Sequence, residues 1–347
     1  MKKIIITGVT GQDGSNMVDY LLAHTQDTFM YVTVRRLSIT NHENIEQQAR
    51  AHPDRIKMVR MDLTDSISIH NLIRDVKPDY FINFAAQSFV LESWTTPVNT
   101  FECNTMAVLH MLEAIRLHHP ECRFYSAGSS EEFGDVAYIP QDMKHPLRPR
   151  SPYGASKCAA RHLVKVYRES YGLYAIHCIL FNHEGKRRGK EFVTRKITSN
   201  MARIKHEILR GEKPTPFGLG NIMAQRDWSD SEDFVRAVWL MLNQEEPKEY
   251  LLASGEMHTI KEFIDTVCAE AKLDVQWEIN EEDPLQTRLF IGKDVAIYID
   301  EENFRPAEVD VLIGDPSESY KALNFSIEVG FEELAKKMYN NDFKLLG

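Results

Sequence analysis

The chain has 347 residues, 43% hydrophobic and 27% charged, with a formal net charge of −10; this length exceeds one ordinary core and implies a two-lobed soluble enzyme. The negative balance argues against nucleic acid or an anionic membrane surface as the main partner, so any anion site must be a local basic pocket. Cys103, Cys122, Cys158, Cys178 and Cys268 are scattered without Cys-x-x-Cys spacing, and no second His, Cys or carboxylate stands at metal-ligand spacing around His183. Neither a disulfide framework nor a metal site is therefore expected. The apolar run after Met1-Lys2-Lys3 is too short for a signal peptide, and no later run of about 18 apolar residues occurs, which points to a cytoplasmic protein.

Lys3 to Thr7 reads as a strand, Gly8-Val9-Thr10-Gly11-Gln12-Asp13-Gly14 as a glycine turn, and Ser15 to Ala23 as a helix. Glycines in a Gly-x-x-Gly-x-x-Gly spacing let the backbone approach a pyrophosphate, which the amides and positive end of the following helix then hold. The strand Met30 to Val34 ends in Arg35-Arg36, where an NAD enzyme usually places an acid. Paired guanidinium groups there suit a 2′-phosphate and favour NADP; the alternative is a solvated basic turn. Alternation continues through a strand at Ile56 to Arg60 with Asp62-Leu63 at its tip, a helix at Ser66 to Asp75, and a strand at Tyr80 to Phe84 followed by Ala85-Ala86-Gln87-Ser88. This pattern predicts an α/β fold with a doubly wound parallel sheet, a Rossmann-type NADP domain, and ligands outside the carboxyl ends of its strands.

The next strand runs into Ser126-Ala127-Gly128-Ser129-Ser130-Glu131, and Ser151-Pro152-Tyr153-Gly154-Ala155-Ser156-Lys157 opens a helix. Tyr153 and Lys157 are four apart, so they share one helix face. An ammonium beside the phenol is expected to lower its pKa from ~10, and a Tyr so tuned can take a proton from an alcohol while a nicotinamide takes the hydride. A Tyr-x-x-x-Lys match alone arises about once by chance in a chain of this size; Ser129, Glu131 and the glycine loop set this one apart.

After a strand at Ala175 to Phe181 comes Asn182-His183-Glu184, and then six basic residues between Lys186 and Lys196 against one acid, Glu191. This is a diphosphate clamp or, equally on local grounds, an exposed basic loop. His183 alone reads as a structural histidine. Further on, Val235 to Leu242 and Thr259 to Ala271 read as helices, Glu249 to Ala253, Val275 to Ile279 and Ala296 to Ile299 as strands, Phe304 to Asp310 as a turn, and Phe331 to Met338 as a closing helix. The expected division is 1–184 with 213–255 for the nucleotide-binding domain, and 185–212 with 256–347 for a smaller C-terminal α/β substrate domain.

These residues resemble the extended short-chain dehydrogenases/reductases and, within them, the GDP-mannose 4,6-dehydratases. Leu180-Phe181-Asn182-His183-Glu184 and Arg226-Asp227-Trp228 are among the matches, and the narrow ones are Asn182-His183-Glu184, Phe192-Val193-Thr194-Arg195-Lys196-Ile197 and Arg305-Pro306-Ala307-Glu308-Val309-Asp310. The resemblance implies that Ser129 holds the hydroxyl position, Glu131 is the acid/base carboxylate, and Tyr153 with Lys157 is the oxidising pair. It implies NADP contacts at Gly8, Thr10, Gly11, Gln12, Asp13, Gly14, Arg35, Arg36, Asp62, Leu63, Ala85, Ala86, Gln87, Ser88, Lys157, His183 and Arg188. A GDP-sugar is implied at Ser88, Asn182, Val193, Lys196, Arg226, Arg305 and Glu308, in a homo-oligomer, dimer or tetramer. Departures are Gly128 where Ser is common, Glu132-Phe133 in place of an apolar residue and Tyr, Leu37 to Asn41 after the double Arg, and a longer stretch between Ile197 and Phe217.

The expected reaction is loss of water from GDP-mannose or a related GDP-sugar, such as a GDP-heptose, to give the 4-keto-6-deoxy sugar. A 4-epimerase or 4-keto reductase needs the same Tyr and Lys but no carboxylate at the C5–C6 bond. A silent NADP sensor would need none of the four side chains.

Overall fold

Ile4, Ile5 and Ile6 have no exposed surface, as a strand covered on both faces of a parallel sheet requires. In a computed structural model describing residues 1–36, 42–303 and 311–347, they lie on β1 (Lys2–Thr7), followed by β2 (Thr28–Val34), β3 (Ile56–Arg60), β4 (Tyr80–Asn83), β5 (Arg123–Ala127) and β6 (Ala175–Leu180). Short strands β7 (Asn182–Glu184), β8 (Phe217–Leu219), β9 (Gln225–Arg226) and β10 (Trp228–Asp230) precede β11 (Tyr250–Leu252). The main sheet has seven strands in the order β11-β6-β5-β4-β1-β2-β3, every pair parallel. Strand order reverses between β1 and β4, and the crevice there is where such sheets bind ligands.

Helices cover both faces. On one lie α1 (Gln12–His24), α2 (Glu43–Ala51) and, later in the chain, α9 (Ser231–Leu242), whose Val18, Leu21, Ile45, Phe234 and Val238 join one core. On the other lie α3 (Ser66–Val76), α6 (Ala107–His118) and α7 (Pro152–Tyr171), contributing Ile73, Val108, Leu112 and Val164 to a second. Two short helices, α4 (Glu92–Thr95) and α5 (Pro97–Phe101), precede a π-helical turn at Glu102–Met106. Helix α7 starts where Ser151 accepts a hydrogen bond from the Gly154 amide at 3.0 Å and Pro152 fills the first turn, and it ends at Gly172 with φ 67°. Both ends follow ordinary capping chemistry.

A third core joins α8 (Val193–Leu209), α10 (Ile260–Glu270) and α12 (Phe331–Leu345) to a four-stranded sheet of β13 (Val275–Glu278), β14 (Arg288–Ile291), β15 (Asp294–Ile299) and β8. Phe217–Leu219, grouped by sequence with the nucleotide-binding segment, is thus an edge strand of the small sheet. The remaining elements are β12 (His258–Thr259), paired with β9, and α11 (Ser317–Leu323). Helix α8 and strands β7, β10 and β14 were not expected, and the closing helix runs past Met338 to Leu345. Leu37 to Asn41 and the whole expected Phe304 to Asp310 turn, with Arg305 and Glu308, lie outside the described residues. No helix among the described residues is long and apolar enough to cross a membrane.

Candidate active site

The loop between β1 and α1 packs against the end of β4. Gly8 has φ 74°, and a Cβ on it would stand 2.8 Å from the Ala85 amide nitrogen; one on Gly14 would stand 2.5 Å from the Gly8 carbonyl oxygen. Both positions exclude a side chain, which leaves bare backbone facing the crevice. Gly11 caps α1 with no side-chain hydrogen bond, so the first amides of a thirteen-residue helix are left for an anion. Buried Gln12 Oε1 and Gln87 Oε1 have no hydrogen-bond partner. The backbone cradle and these polar atoms fit a dinucleotide.

Around this cradle stand the other expected residues. Thr10 lies in the loop, and Asp13 with Gln12 in the first turn of α1. Arg35 and Arg36 are exposed past β2, and Asp62 past β3 bonds the Thr64 amide and hydroxyl at 3.0 and 2.8 Å while Leu63 is buried. The Ala85 amide donates to Thr7 Oγ1 at 3.0 Å, Ala86 follows, and the Gln87 amide donates to Asn104 Oδ1 at 2.9 Å, with Ser88 exposed beyond.

Ser129 and Glu131 sit on the turn after β5, over the start of α7. The Glu131 amide donates to Ser129 Oγ at 3.3 Å, and a Cβ on Gly154 would lie 2.5 Å from the Glu131 carbonyl oxygen, so the turn is seated directly on the helix. Tyr153 is buried, and its phenol is pushed up to about 12. Burial is the largest cause, the Ser129 hydroxyl hydrogen bond works against it, and the Glu131 and Glu132 charges add to it. This corrects the expectation of a phenol lowered by Lys157. The ammonium donates instead to the Ala127 carbonyl at 2.8 Å, and burial pushes Lys157 itself down to about 8. Desolvation acts against the charged form of each group and outweighs their proximity.

A residue that sequence reasoning missed, Asn104, ties the halves together. It lies in the π-helical turn, accepts from the Gln87 amide, and donates to the Ser156 hydroxyl at 3.0 Å, which in turn donates to the Tyr153 carbonyl at 2.7 Å. Inserted π turns often mark functional sites, but a one-residue insertion in a helical stretch leaves no periodic signal.

The basic stretch divides. Lys186 pairs with Glu232 at 3.1 Å, Arg187 with Asp19 at 2.6 Å, Arg188 with Glu184 at 3.1 Å, and Arg195 with Asp342 at 2.7 Å, so among the described residues four of its six cations meet acids of this chain. The Arg188 contact is an ion pair without hydrogen-bond alignment, its guanidinium lying 3.5 Å from the Phe192 ring centroid. Lys196, one turn into α8, bonds the neutral Asn303 Oδ1 at 3.2 Å, and burial lowers its pKa. Val193 opens α8, which has no side-chain cap. Asn182 lies on β7 beside β10, and Arg226 is buried on β9.

A family profile described as GDP-mannose 4,6 dehydratase matches residues 5–338. The chain belongs to the GDP-mannose 4,6-dehydratase family. A relative from Arabidopsis thaliana, GDP-mannose 4,6 dehydratase 2, is 41% identical over 99% of this chain and 87% of its own length. The Drosophila melanogaster GDP-mannose 4,6 dehydratase is 39% identical with the same coverage, 99% and 87%. The solved structure of RMD from Pseudomonas aeruginosa complexed with NADPH superposes with a TM-score of 0.77 at 22% identity, over 99% of this chain and 100% of that one, and speaks to the fold.

In this member of the GDP-mannose 4,6-dehydratase family, His183 bridges two elements of the crevice. Its Nδ1 faces the Phe181 carbonyl at 2.8 Å and its Nε2 the Asp13 carboxylate at 3.0 Å, so both ring nitrogens donate. Burial, the largest single cause, would lower its pKa, but the charge and hydrogen bond of Asp13 and the bond to the Phe181 carbonyl together outweigh it and raise the value, while His183 and Arg188 lower Asp13 against its own burial. A raised histidine stabilises fully below its unfolded value of ~6.5 and loses that contribution as pH rises through the folded value; a lowered carboxylate contributes above ~3.9. The pair is therefore complete between those two values. Asp13→Asn is expected to destabilise the protein more at pH 6 than at pH 9, as read from urea unfolding at both.

Proposed function

We propose that this protein is an NADP-dependent GDP-mannose 4,6-dehydratase that converts GDP-mannose to GDP-4-dehydro-6-deoxy-mannose and water. The observation that carries this reading is the placing of Glu131 on the same turn as Ser129, whose hydroxyl bonds the Tyr153 phenol. An epimerase or reductase has no use for that carboxylate. Names of relatives about 40% identical over the whole chain support the same substrate.

The cradle residues Gly8, Gly11 and Gly14, the first turn of α1, Ala85 to Ser88 and Lys157 would hold the cofactor, with Arg35 and Arg36 on the 2′-phosphate. When bound, NADP supplies a hydride acceptor and donor together with a positively charged ring. Tyr153, as the phenolate that the positive ring of bound NADP would favour over the buried phenol, takes the proton of the C4 hydroxyl, and Ser129 orients that hydroxyl. The C4 ketone acidifies C5–H, Glu131 removes that proton, and the protonated Glu131 gives it to the departing C6 hydroxyl, which leaves as water; the C5–C6 double bond would then take up the hydride at C6 and, at C5, a proton that balances the one Tyr153 received. Lys196, Arg226 and the open first turn of α8 offer cationic and amide donors to the diphosphate.

Val98, Phe101 and Met106, exposed beside the Gln87–Asn104 link, support a homo-oligomer covering that surface. The five cysteines are free and buried, in keeping with the reducing cytoplasm.

Arg35 and Arg36 match a dianionic phosphate and nothing on NAD, so NADP is expected to bind at least tenfold tighter than NAD, as measured by titration calorimetry. Equal or tighter NAD binding refutes the assignment. Incubation with GDP-mannose, other GDP-hexoses and a GDP-heptose, followed by mass analysis, is expected to show loss of one water from GDP-mannose; an unchanged mass overturns the reading.

A further inference from the structure

Directly beneath the Ser129 turn lies a buried charged side chain that the mechanism above does not use. Glu132 and His177 have no exposed surface, and Glu132 Oε1 accepts hydrogen bonds from the Ser129 amide at 2.9 Å and from His177 Nε2 at 3.0 Å. Glu132 Oε2 and His177 Nδ1 are buried without any partner. Gly128 belongs to the same unit: a Cβ there would stand 2.4 Å from His177 Nε2 and 2.7 Å from Glu132 Oε1. The two departures from the resembled pattern, Gly at 128 and Glu at 132, are therefore one feature, because only a residue without a side chain leaves room for the carboxylate and the imidazole.

If the turn had only to be stable, apolar side chains would fill this space without desolvating a carboxylate and without two orphaned polar atoms. What the polar pair adds is a bond to the backbone of Ser129, whose hydroxyl bonds the Tyr153 phenol. It also adds a charge facing Tyr153, Lys157, Cys158 and Arg161 on α7 and Cys178 on β6.

We propose that Glu132, bonded to His177 and accommodated by Gly128, is a positioning residue: it fixes the Ser129 amide, so aiming the Ser129 hydroxyl at Tyr153, and it sets the charge beneath the Tyr153–Lys157 pair. This role rests on the assignment of Ser129, Tyr153 and Lys157 as the oxidising group. The Glu132 charge raises the pKa of both Tyr153 and Lys157, so removing it favours the phenolate and the neutral amine alike, and both limbs of a pH–rate profile move to lower pH.

Two variants test this with GDP-mannose as substrate. Glu132→Gln keeps an acceptor for Ser129 and His177 and removes the charge; it is expected to lower kcat less than tenfold and to displace the kcat profile to acid by about one unit. The double variant Glu132→Leu with His177→Leu replaces both buried polar groups with apolar ones and leaves the Ser129 amide without its acceptor. It is expected to bind NADP with wild-type affinity and to leave KM within threefold, while kcat falls about 10²-fold, the scale of a small misplacement at a reacting centre. An unmoved pH profile in Glu132→Gln, or wild-type kcat in a double variant that binds NADP, overturns the role. If the wild-type enzyme itself does not dehydrate GDP-mannose, the functional reading fails first, and that result is separate from either variant's.

Discussion

Glu131→Gln is expected to lower the release of dehydrated product by about 10²- to 10⁴-fold, the range for loss of a general acid/base. Gln keeps the size of the side chain, and the backbone of Glu131 keeps its contacts with the turn and the helix: its amide on Ser129 Oγ and its carbonyl against Gly154. The turn should therefore hold its place. Ser129, Tyr153 and Lys157 remain, so the variant is expected to oxidise bound GDP-mannose and to accumulate the absorbance of reduced nicotinamide in a single turnover. Product formation near the wild-type rate would show that this carboxylate is not the acid/base.

Tyr153→Phe is expected to stop the reaction one step earlier. In the proposed mechanism its phenol carries the proton of the C4 hydroxyl, and the ring packs in a buried site that Phe fills equally well. Turnover should fall by at least about 10³-fold, with no transient absorbance of reduced nicotinamide and with GDP-mannose affinity nearly unchanged. The contrast between the two variants separates oxidation at C4 from elimination across C5–C6. A Tyr153→Phe enzyme that still reduces its cofactor would remove the phenol from the mechanism.

The phenol also marks where sequence reasoning stopped. That Tyr153 and Lys157 share a helix face follows from a spacing of four, and the strand–loop–helix order of Lys3 to Ala23 follows from apolar periodicity and glycines; both are local properties of the chain. Ile56–Arg60 and Ser66–Val76 were legible in the same way. The protonation of Tyr153 was not, because it depends on burial and on Glu132, neither of which has a sequence spacing.

The same limit applies to the basic stretch. Six cations in eleven positions suggest an anion clamp, yet Arg195 pairs with Asp342 and Arg187 with Asp19, partners 147 and 168 positions away that only the folded chain brings near. Those pairs fasten α8 to α12 and the segment after β7 to α1. Strands of two or three residues, such as β7 and β9, are also too short for any period to be read. Gly128 and Glu132 were visible only as oddities of pattern, and what joins them to His177 is steric.

The most direct test of the central claim uses GDP-mannose carrying deuterium at C4, with enzyme-bound NADP and no added reductant. Internal return of the hydride predicts a 4-keto-6-deoxy product that has lost one water, carries the deuterium at C6, and forms without net NADPH consumption. Product lacking the label at C6, or formed only as NADPH is consumed, would contradict a dehydratase and point to a reductase on the same fold.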